Sequence, residues 1–319
     1  MNSQKKFIVS HAPFLHNGSG VAERNYHTII ALIPAVLMGL SVFGVPALGV
    51  LCLSVSSAII WELLFNLAAK RSITVGDGHA VTLGLVLGML LPATAPFWVV
   101  ITGTFLAIVI GKQIFGGIGA NPFCPPALAY AILYISWKTY LDFDAQLINF
   151  DFDFTAIYLP VAIKAFGTEA LANINLGDLI IGRQIGGVGA TSGLALIIGG
   201  AYLILRGFKR WEVPVAFIVG LVVTATFFHM ADPDKYAGPF IHLFTGFSLI
   251  GAFFLATDDS ASPVNPAAMI IYGATGGVMT ILIRNIGQYP DGVIFAILLI
   301  NLINPLVDKI RPKAIGKVA

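Results

Sequence analysis

The sequence predicts an all-α integral membrane protein of about ten transmembrane helices, arranged as two inverted five-helix repeats. Three observations carry this prediction. Of the 319 residues, 57% are hydrophobic and 11% charged, against roughly 25% charged in an ordinary soluble domain, so too little polar surface remains to cover a water-soluble globule. Apolar runs close to the ~20 residues that cross a ~30 Å hydrocarbon core follow one another along the chain. The two halves also share a pattern, because Leu87-Gly88-Met89-Leu90-Leu91-Pro92-Ala93-Thr94 resembles Ile250-Gly251-Ala252-Phe253-Phe254-Leu255-Ala256-Thr257.

Residues 1–26 read as a polar segment, expected on the cytoplasmic side. It lacks the apolar stretch of a signal peptide, so the first span is expected to anchor the mature protein. The first repeat, 27–140, divides into spans 27–44, 45–68, 79–92, 95–111 and 124–140. Its third span is short, rich in Gly and followed by Pro92 and Pro96. That predicts a broken or re-entrant helix, which survives at membrane depth only where protein or a cavity shields its backbone. Residues 141–189 read as one large outer-face loop. The second repeat, 190–307, divides into spans 190–205, 212–230, 238–257, 265–284 and 290–307, and 308–319 form a basic tail.

Basic residues test the topology, since cytoplasmic loops carry their excess. With both termini inside, the inner set is Lys5, Lys6, Arg24, Lys70, Arg71, Lys112, Arg206, Lys209, Arg210, Lys309, Arg311, Lys313 and Lys317, thirteen of the eighteen. Lys138, Lys164, Arg183, Lys235 and Arg284 fall outside, and the stretch 141–189 also holds Asp142, Asp144, Asp151 and Asp153. Five spans per repeat is an odd number, so the second copy must sit with opposite orientation. Lys112 closes span four on the inside and Arg284 closes span nine on the outside. Inverted repeats of this kind place ligands near mid-membrane, where broken helices of the two halves meet.

Candidate chemistry gathers at the breaks. Gly76-Asp77-Gly78-His79 precedes span three, and Ala256-Thr257-Asp258-Asp259-Ser260-Ala261-Ser262-Pro263 follows span eight. Such residues at a helix break can hold a phosphate, a sugar-like chain or a cation, although an ordinary polar turn has the same composition. The run Lys112 to Phe123 contains Gly116, Gly117, Gly119 and Asn121, where Gly permits close approach of a planar ligand or only a tight loop. Gly186-Gly187-Val188-Gly189-Ala190-Thr191-Ser192-Gly193 opens span six, and its N–H groups suit either an anion such as a flavin phosphate or close helix packing.

Other classes are excluded. No hydrolase, zinc-peptidase or phosphate-loop motif occurs, so no catalytic residue is assigned. Cys52 and Cys124 lie in separate apolar runs without a second ligand, and no two histidines pair across facing spans, so neither a metal nor haem is expected. A net charge of +2 without an aromatic-interleaved basic stripe excludes nucleic acid as a partner.

Taken together, the stretches 76–91, 111–122, 186–211, 242–263 and 282–305, with their GKQIFGG, GAFFLATD and YPDGVIFAILL runs, resemble the RnfD/NqrB membrane subunits of the Rnf and sodium-pumping NADH:quinone reductase complexes. They cover most of 27–312, and the length is similar to RnfD. The resemblance implies a urea-transporter-like fold in a bacterial inner membrane and electron transfer between flavins, FMN and riboflavin, in a complex that couples ferredoxin/NAD oxidoreduction to Na+ or H+ transport. Partners would be the other membrane and peripheral subunits and membrane lipid. From the breaks and Gly-rich runs above, the residues expected to bind cofactor are Gly116, Gly117, Asn121, Gly189, Thr191, Thr257 and Asp258, and Asp77, Asp258 and Asp259 are the candidate ion-coupling carboxylates.

In that family one FMN is joined through its phosphate to a Thr in a motif resembling Asp-x-x-Ser/Thr-x-Ala-Thr. The corresponding stretch is 153–164, in which Asp153 remains but Leu159 occupies the Thr position. Leucine has no hydroxyl, so covalent attachment is not expected there, and Thr191 and Thr155 are the remaining candidates. Ile185 stands where Thr191 would need its Asp. His79 and Ala190 replace the family's usual Ser and Glu, marking a divergent member. The rival expectations are an inverted-repeat transporter or channel, or a structural subunit, without a redox cofactor.

Overall fold

The computed structural model describes residues 20–150, 152, 157–171 and 174–310. Asp151, Asp153, Thr155 and the basic residues of 1–19 and 311–319 lie outside the described residues. Among the described residues the protein is all helical, without a strand.

Helix α1, Val21–Ala68, has 48 residues, about 72 Å at ~1.5 Å per residue, more than two bilayer cores. Gly44 divides it, with φ 62° and ψ −143°, and Pro46 follows. Only glycine adopts such a conformation cheaply, so the break expected between 44 and 45 falls on the residue able to make it. Helix α2, His79–Leu90, is short and ends before Pro92. Helix α3, Phe97–Gln113, is π-helical from Leu106 to Gln113, and α4, Pro125–Ser136, starts with prolines in its first turn, where a missing N–H costs nothing.

Two expectations change here. The sequence placed Lys112 in a loop after Gly111, but α3 continues through it, and Lys112 is 1% exposed. Arg284 is likewise buried within its helix. A long apolar helix can take in a cation when a carboxylate waits inside, so these two do not mark an aqueous face. The stretch 141–189, read as a loop, carries α5, Leu159–Phe166, and α6, Leu176–Ile181, besides shorter turns. Its end folds back into the bundle: Val188 N–H donates to Leu91 O at 3.0 Å and Gly189 N–H to Met89 O at 3.1 Å.

Helix α7 spans Gly193–Leu205, α8 Glu212–Ala231, α9 Pro239–Phe244, α10 residues 248–255, α11 Pro266–Asn285 and α12 Val293–Val307. The span expected over 238–257 is thus broken, at Thr245-Gly246-Phe247, with Gly246 at φ 62°. Helix α10 ends in a π-helical turn, Gly251–Leu255. Helices α1, α8 and α11 are long and apolar enough to cross a membrane, and α2, α3, α4, α7 and α12 are shorter apolar helices. Large apolar side chains such as Leu37, Leu64, Phe227, Met230 and Leu302 face outward, a surface suited to lipid rather than water.

Small residues bring the helices together, as membrane bundles require. Gly199 of α7 lies so close to α1 that a Cβ there would collide with the Ala31 carbonyl oxygen, and Gly277 of α11 abuts the Phe217 carbonyl of α8 in the same way.

Candidate functional site

Two breaks that are far apart in sequence meet in space. The start of α2 and the segment after α10 line one narrow cavity of about 50 Å³, with Asn25, His79, Cys124, Lys209, Phe254 and Asp258 in its wall. Asp77 shapes its own turn, accepting from the His79 N–H at 2.8 Å. From α1, Asn25 Nδ2 donates to the Asp77 carbonyl at 2.9 Å and the Tyr26 hydroxyl donates to the Gly76 carbonyl at 3.1 Å. The start of α1 therefore clamps the turn that carries Asp77.

Asp258 is held by Asn121, from the loop between α3 and α4, and by Ser260. Asn121 Nδ2 donates to Asp258 Oδ2 at 3.0 Å, and Ser260 Oγ donates to Asn121 Oδ1 at 2.6 Å, also lying 3.1 Å from Asp258 Oδ2. Lys209 donates to the Thr257 carbonyl and lies 2.9 Å from Asp259 Oδ1, which Arg24 also meets at 2.9 Å. Asp259 is thus neutralised by two cations, while Asp258 has neutral donors. Burial is the main reason its carboxyl stands above the ordinary aspartate range, with Asp259 adding to the shift and Lys209, Ser260 and Asn121 opposing it. Burial also raises Asp77, against the His79 N–H and the nearby Lys112.

A raised carboxyl pKa has a definite sign in stability. The folded protein pays for the charge on Asp258 only as pH climbs from the ordinary aspartate range through the raised folded value. Asp258→Asn is therefore expected to gain thermal stability relative to the parent at pH 7, with the gain shrinking toward pH 4. Melting curves of both proteins across that window test this, and a difference independent of pH would remove Asp258 as its source.

Next to the Asp77 turn lies a charge pair that sequence reasoning missed. Lys112 Nζ meets Glu62 Oε1 at 2.8 Å and Oε2 at 2.9 Å, with Lys112 1% and Glu62 0% exposed. Thr74 donates to Glu62 Oε1 at 2.7 Å and accepts from Asn66 Nδ2 at 3.0 Å. The available signal was Glu62 itself, the one charged residue within 45–68, since an ionisable group inside a span marks a partner or a function.

Of the residues singled out in the sequence, Asn121, Thr257, Asp258 and Asp259 are brought together, whereas Asp77 lies outside the cavity lining, near Glu62 and Lys112. Gly116 and Gly117, at φ 120° and 106°, form the tight turn after α3. Gly189 and Thr191 lie elsewhere, against the far end of α2. A Cβ on Gly189 would press on the Met89 side chain, and the Thr191 carbonyl accepts from Gln184 Nε2 at 2.8 Å. The Thr191 hydroxyl is buried and has no partner among the described residues. Leu159 is 1% exposed in the first turn of α5.

A second, wider cleft of about 420 Å³ opens beside α4, lined by Tyr130, Tyr134, Phe143, Tyr158 and Phe295 together with Asp291. Tyr130 and Tyr134 stack at 6.1 Å, and Phe143 lies 4.6 Å from Tyr158. Helix α4 joins the two places, with Cys124 at its start in the first cavity and Tyr134 in the second.

The family model described as the NQR2, RnfD, RnfE family matches residues 8–316. The chain is 36% identical over 315 residues to the D-type component of the Na(+)-translocating ferredoxin:NAD(+) oxidoreductase complex of Acetobacterium woodii, covering 98% of this chain and 96% of that protein. It is 33% identical over 311 residues to the D-type component of the proton-translocating ferredoxin:NAD(+) oxidoreductase complex of Clostridium ljungdahlii, covering 95% and 94%. With the D-type component of the ion-translocating oxidoreductase complex of Cronobacter sakazakii it shares 31% over 346 residues, covering 97% and 99%.

Proposed function

The chain belongs to the NQR2, RnfD, RnfE family, and from that premise we propose that it is the flavin-carrying membrane subunit of an Rnf-type ion-translocating electron-transfer complex. In this reading ten spans form two inverted five-helix repeats in the bacterial cytoplasmic membrane, with both termini inside. Other membrane and peripheral subunits supply the ferredoxin/NAD chemistry. The observation that carries the proposal is the meeting of His79, at the start of α2, with Asp258 and Asp259, after α10, in one cavity, where inverted repeats would converge.

The aromatic cleft fits a flavin in chemistry and size, with Tyr130, Tyr134, Phe143 and Tyr158 offering faces to a planar ring. A bound flavin supplies one- and two-electron redox chemistry. Leu159 offers no hydroxyl for a phosphoester, and the Thr191 hydroxyl has no partner among the described residues.

What the chain itself adds is coupling. The ten helical steps from Cys124 to Tyr134 span roughly 15 Å. A unit charge gained at that distance shifts the cost of an ionised Asp258 by about 1 kcal/mol at an effective dielectric of ~20. That is a several-fold change in cation or proton affinity at the carboxylate, enough to bias a two-state cycle.

Asp258→Asn and Asp77→Asn, in the assembled complex, are expected to keep flavin and assembly while cation transport per electron in vesicles falls at least about tenfold. Normal transport in either variant removes that carboxylate from the mechanism. Purified protein without flavin would sink the redox reading, and ion flux through such a protein would favour the transporter alternative, for which Leu159 speaks.

A further inference from the structure

Helix α12 is apolar along its length except for Asn301 and Asn304, one turn apart, and Asp308 follows at helical spacing just past its end. All three hold segments that build the Asp258 site. Asn304 Nδ2 donates to the Ala261 carbonyl at 2.9 Å, and Asp308 Oδ1 accepts from the Val264 N–H at 3.3 Å. The chain that follows Asp258 is thereby laid along α12. Asn301, 2% exposed, reaches the other half of the site, the loop that carries Asn121.

Donor and acceptor chemistry fixes how the Asn301 amide sits. Its oxygen accepts from the Cys124 N–H at 2.9 Å, and its nitrogen donates to the Ile297 carbonyl at 3.3 Å and to the hydroxyl of Tyr272 on α11. The reverse setting would point amide hydrogens at an N–H. The peptide unit that Asn301 holds by its N–H is also held from its other side, because Asn121 Nδ2 donates to the Phe123 carbonyl at 3.0 Å. The same Nδ2 donates to Asp258 Oδ2 at 3.0 Å. One hydrogen-bonded row thus runs from Tyr272 through Asn301, the Phe123–Cys124 peptide and Asn121 to Asp258. We propose that Asn301 is a positioning residue for the Asp258 carboxylate, acting through that peptide and Asn121.

A polar side chain in an apolar helix also serves plain helix packing, and its partners decide between the two roles. For packing, Asn301 could meet α4 anywhere along its length. It meets the one peptide that Asn121 also grips, while Asn304 meets Ala261, three residues beyond Asp258. Helix α12 therefore sets the distance between the donor and the acceptor of a single bond. That bond is stronger when Asp258 is ionised, since charge-assisted hydrogen bonds are about twice as strong as neutral ones. The consequence for transport rests on the reading of Asp258 as a coupling carboxylate, whereas the support of Asp258 itself does not.

The test is a double-mutant cycle on the full chain in detergent, with Asn301→Leu, Asp258→Asn and the double variant melted at pH 7 and at pH 4. The charged and titratable groups around Asp258, namely Lys209, Asp259, His79, Cys124 and Tyr272, are the same in all four proteins and cancel in the cycle. At pH 7 the midpoint lost to Asn301→Leu should be about 2 °C smaller when Asp258 is already Asn. The difference should close toward pH 4, where Asp258 carries its proton. An equal loss in both backgrounds at both pH values is the packing result and overturns the proposal. If Asn301→Leu yields no folded protein, Tyr272→Phe, which frees one side of the Asn301 amide, takes its place with the same sign expected, and additivity there overturns the proposal equally. In the assembled complex Asn301→Leu should raise the cation concentration for half-maximal transport about threefold to tenfold while the maximal rate per flavin is kept. Coupling in the cycle together with normal transport by Asp258→Asn supports the positioning role and sinks the transport reading instead.

Discussion

Lys112→Met is expected to be among the most damaging substitutions in this protein, although methionine matches lysine in length and suits an apolar helix. The variant would leave Glu62, 0% exposed, as an uncompensated carboxylate with only the Thr74 hydroxyl for company. Breaking a buried pair by removing one partner costs about 3–5 kcal/mol, whereas replacing both partners with neutral groups is often close to harmless. Glu62→Gln alone should be similarly destabilising, because it strands the ammonium. The double variant Glu62→Gln/Lys112→Met should recover most of the lost thermal stability and detergent-soluble yield. Single variants that melt with the parent would show that water or another group reaches the pair, and would remove this argument.

The second large effect concerns shape rather than charge. At Gly199 a side chain has no place to go, because its Cβ would strike the carbonyl oxygen of Ala31. A flexible side-chain tip can yield at little cost, but a helix carbonyl moves only with its helix, so Gly199→Val must push α7 from α1. Overpacking costs typically 1–3 kcal/mol, and here the value should reach or pass the upper end. Gly49→Ala is the control, since a Cβ there meets nothing within 4 Å, and removing a helical glycine is worth ~0.5–1 kcal/mol of gain. Comparable melting temperatures for the two variants would mean that α1 and α7 are not in tight contact.

Much of the helical layout is legible because its signals are local. Gly44 with Pro46 marks the break in α1, and the Gly-rich stretch ending at Pro92 marks a short third helix. The candidate site is half legible. Asp77, His79 and Asp258 stand out as polar residues at helix breaks, but the meeting of His79 with Asp258 in one cavity depends on chain segments joined only by folding, as does the bond of Asn121 to Asp258, 137 positions apart. Lys112 misleads for a related reason. Its partner Glu62 lies 50 positions away, and without that partner a lysine after an apolar run looks like a loop cation. Arg284 is also paired with a carboxylate, Asp291, although that partner lies only seven positions on. The helices within 141–189 escape notice because segments as short as α6 carry too few turns for a hydrophobic period to emerge.

The two π-helical turns, Leu106–Gln113 and Gly251–Leu255, bear on how this chain tolerates insertions and deletions. Each carries an extra residue in its turn, and each stands immediately before or around the polar groups of interest, Lys112 in one case and Thr257 with Asp258 in the other. Deleting one residue from such a turn would let ordinary helical winding resume, a change the backbone itself would welcome. The widened turn absorbs that residue, so a deletion inside it leaves the helix beyond facing as before, whereas a deletion in the α-helical part of α3 turns every later side chain by about 100° and swings Lys112 off Glu62. One residue can thus be lost within either turn at little cost, but the spacing in the regular helix before it is fixed.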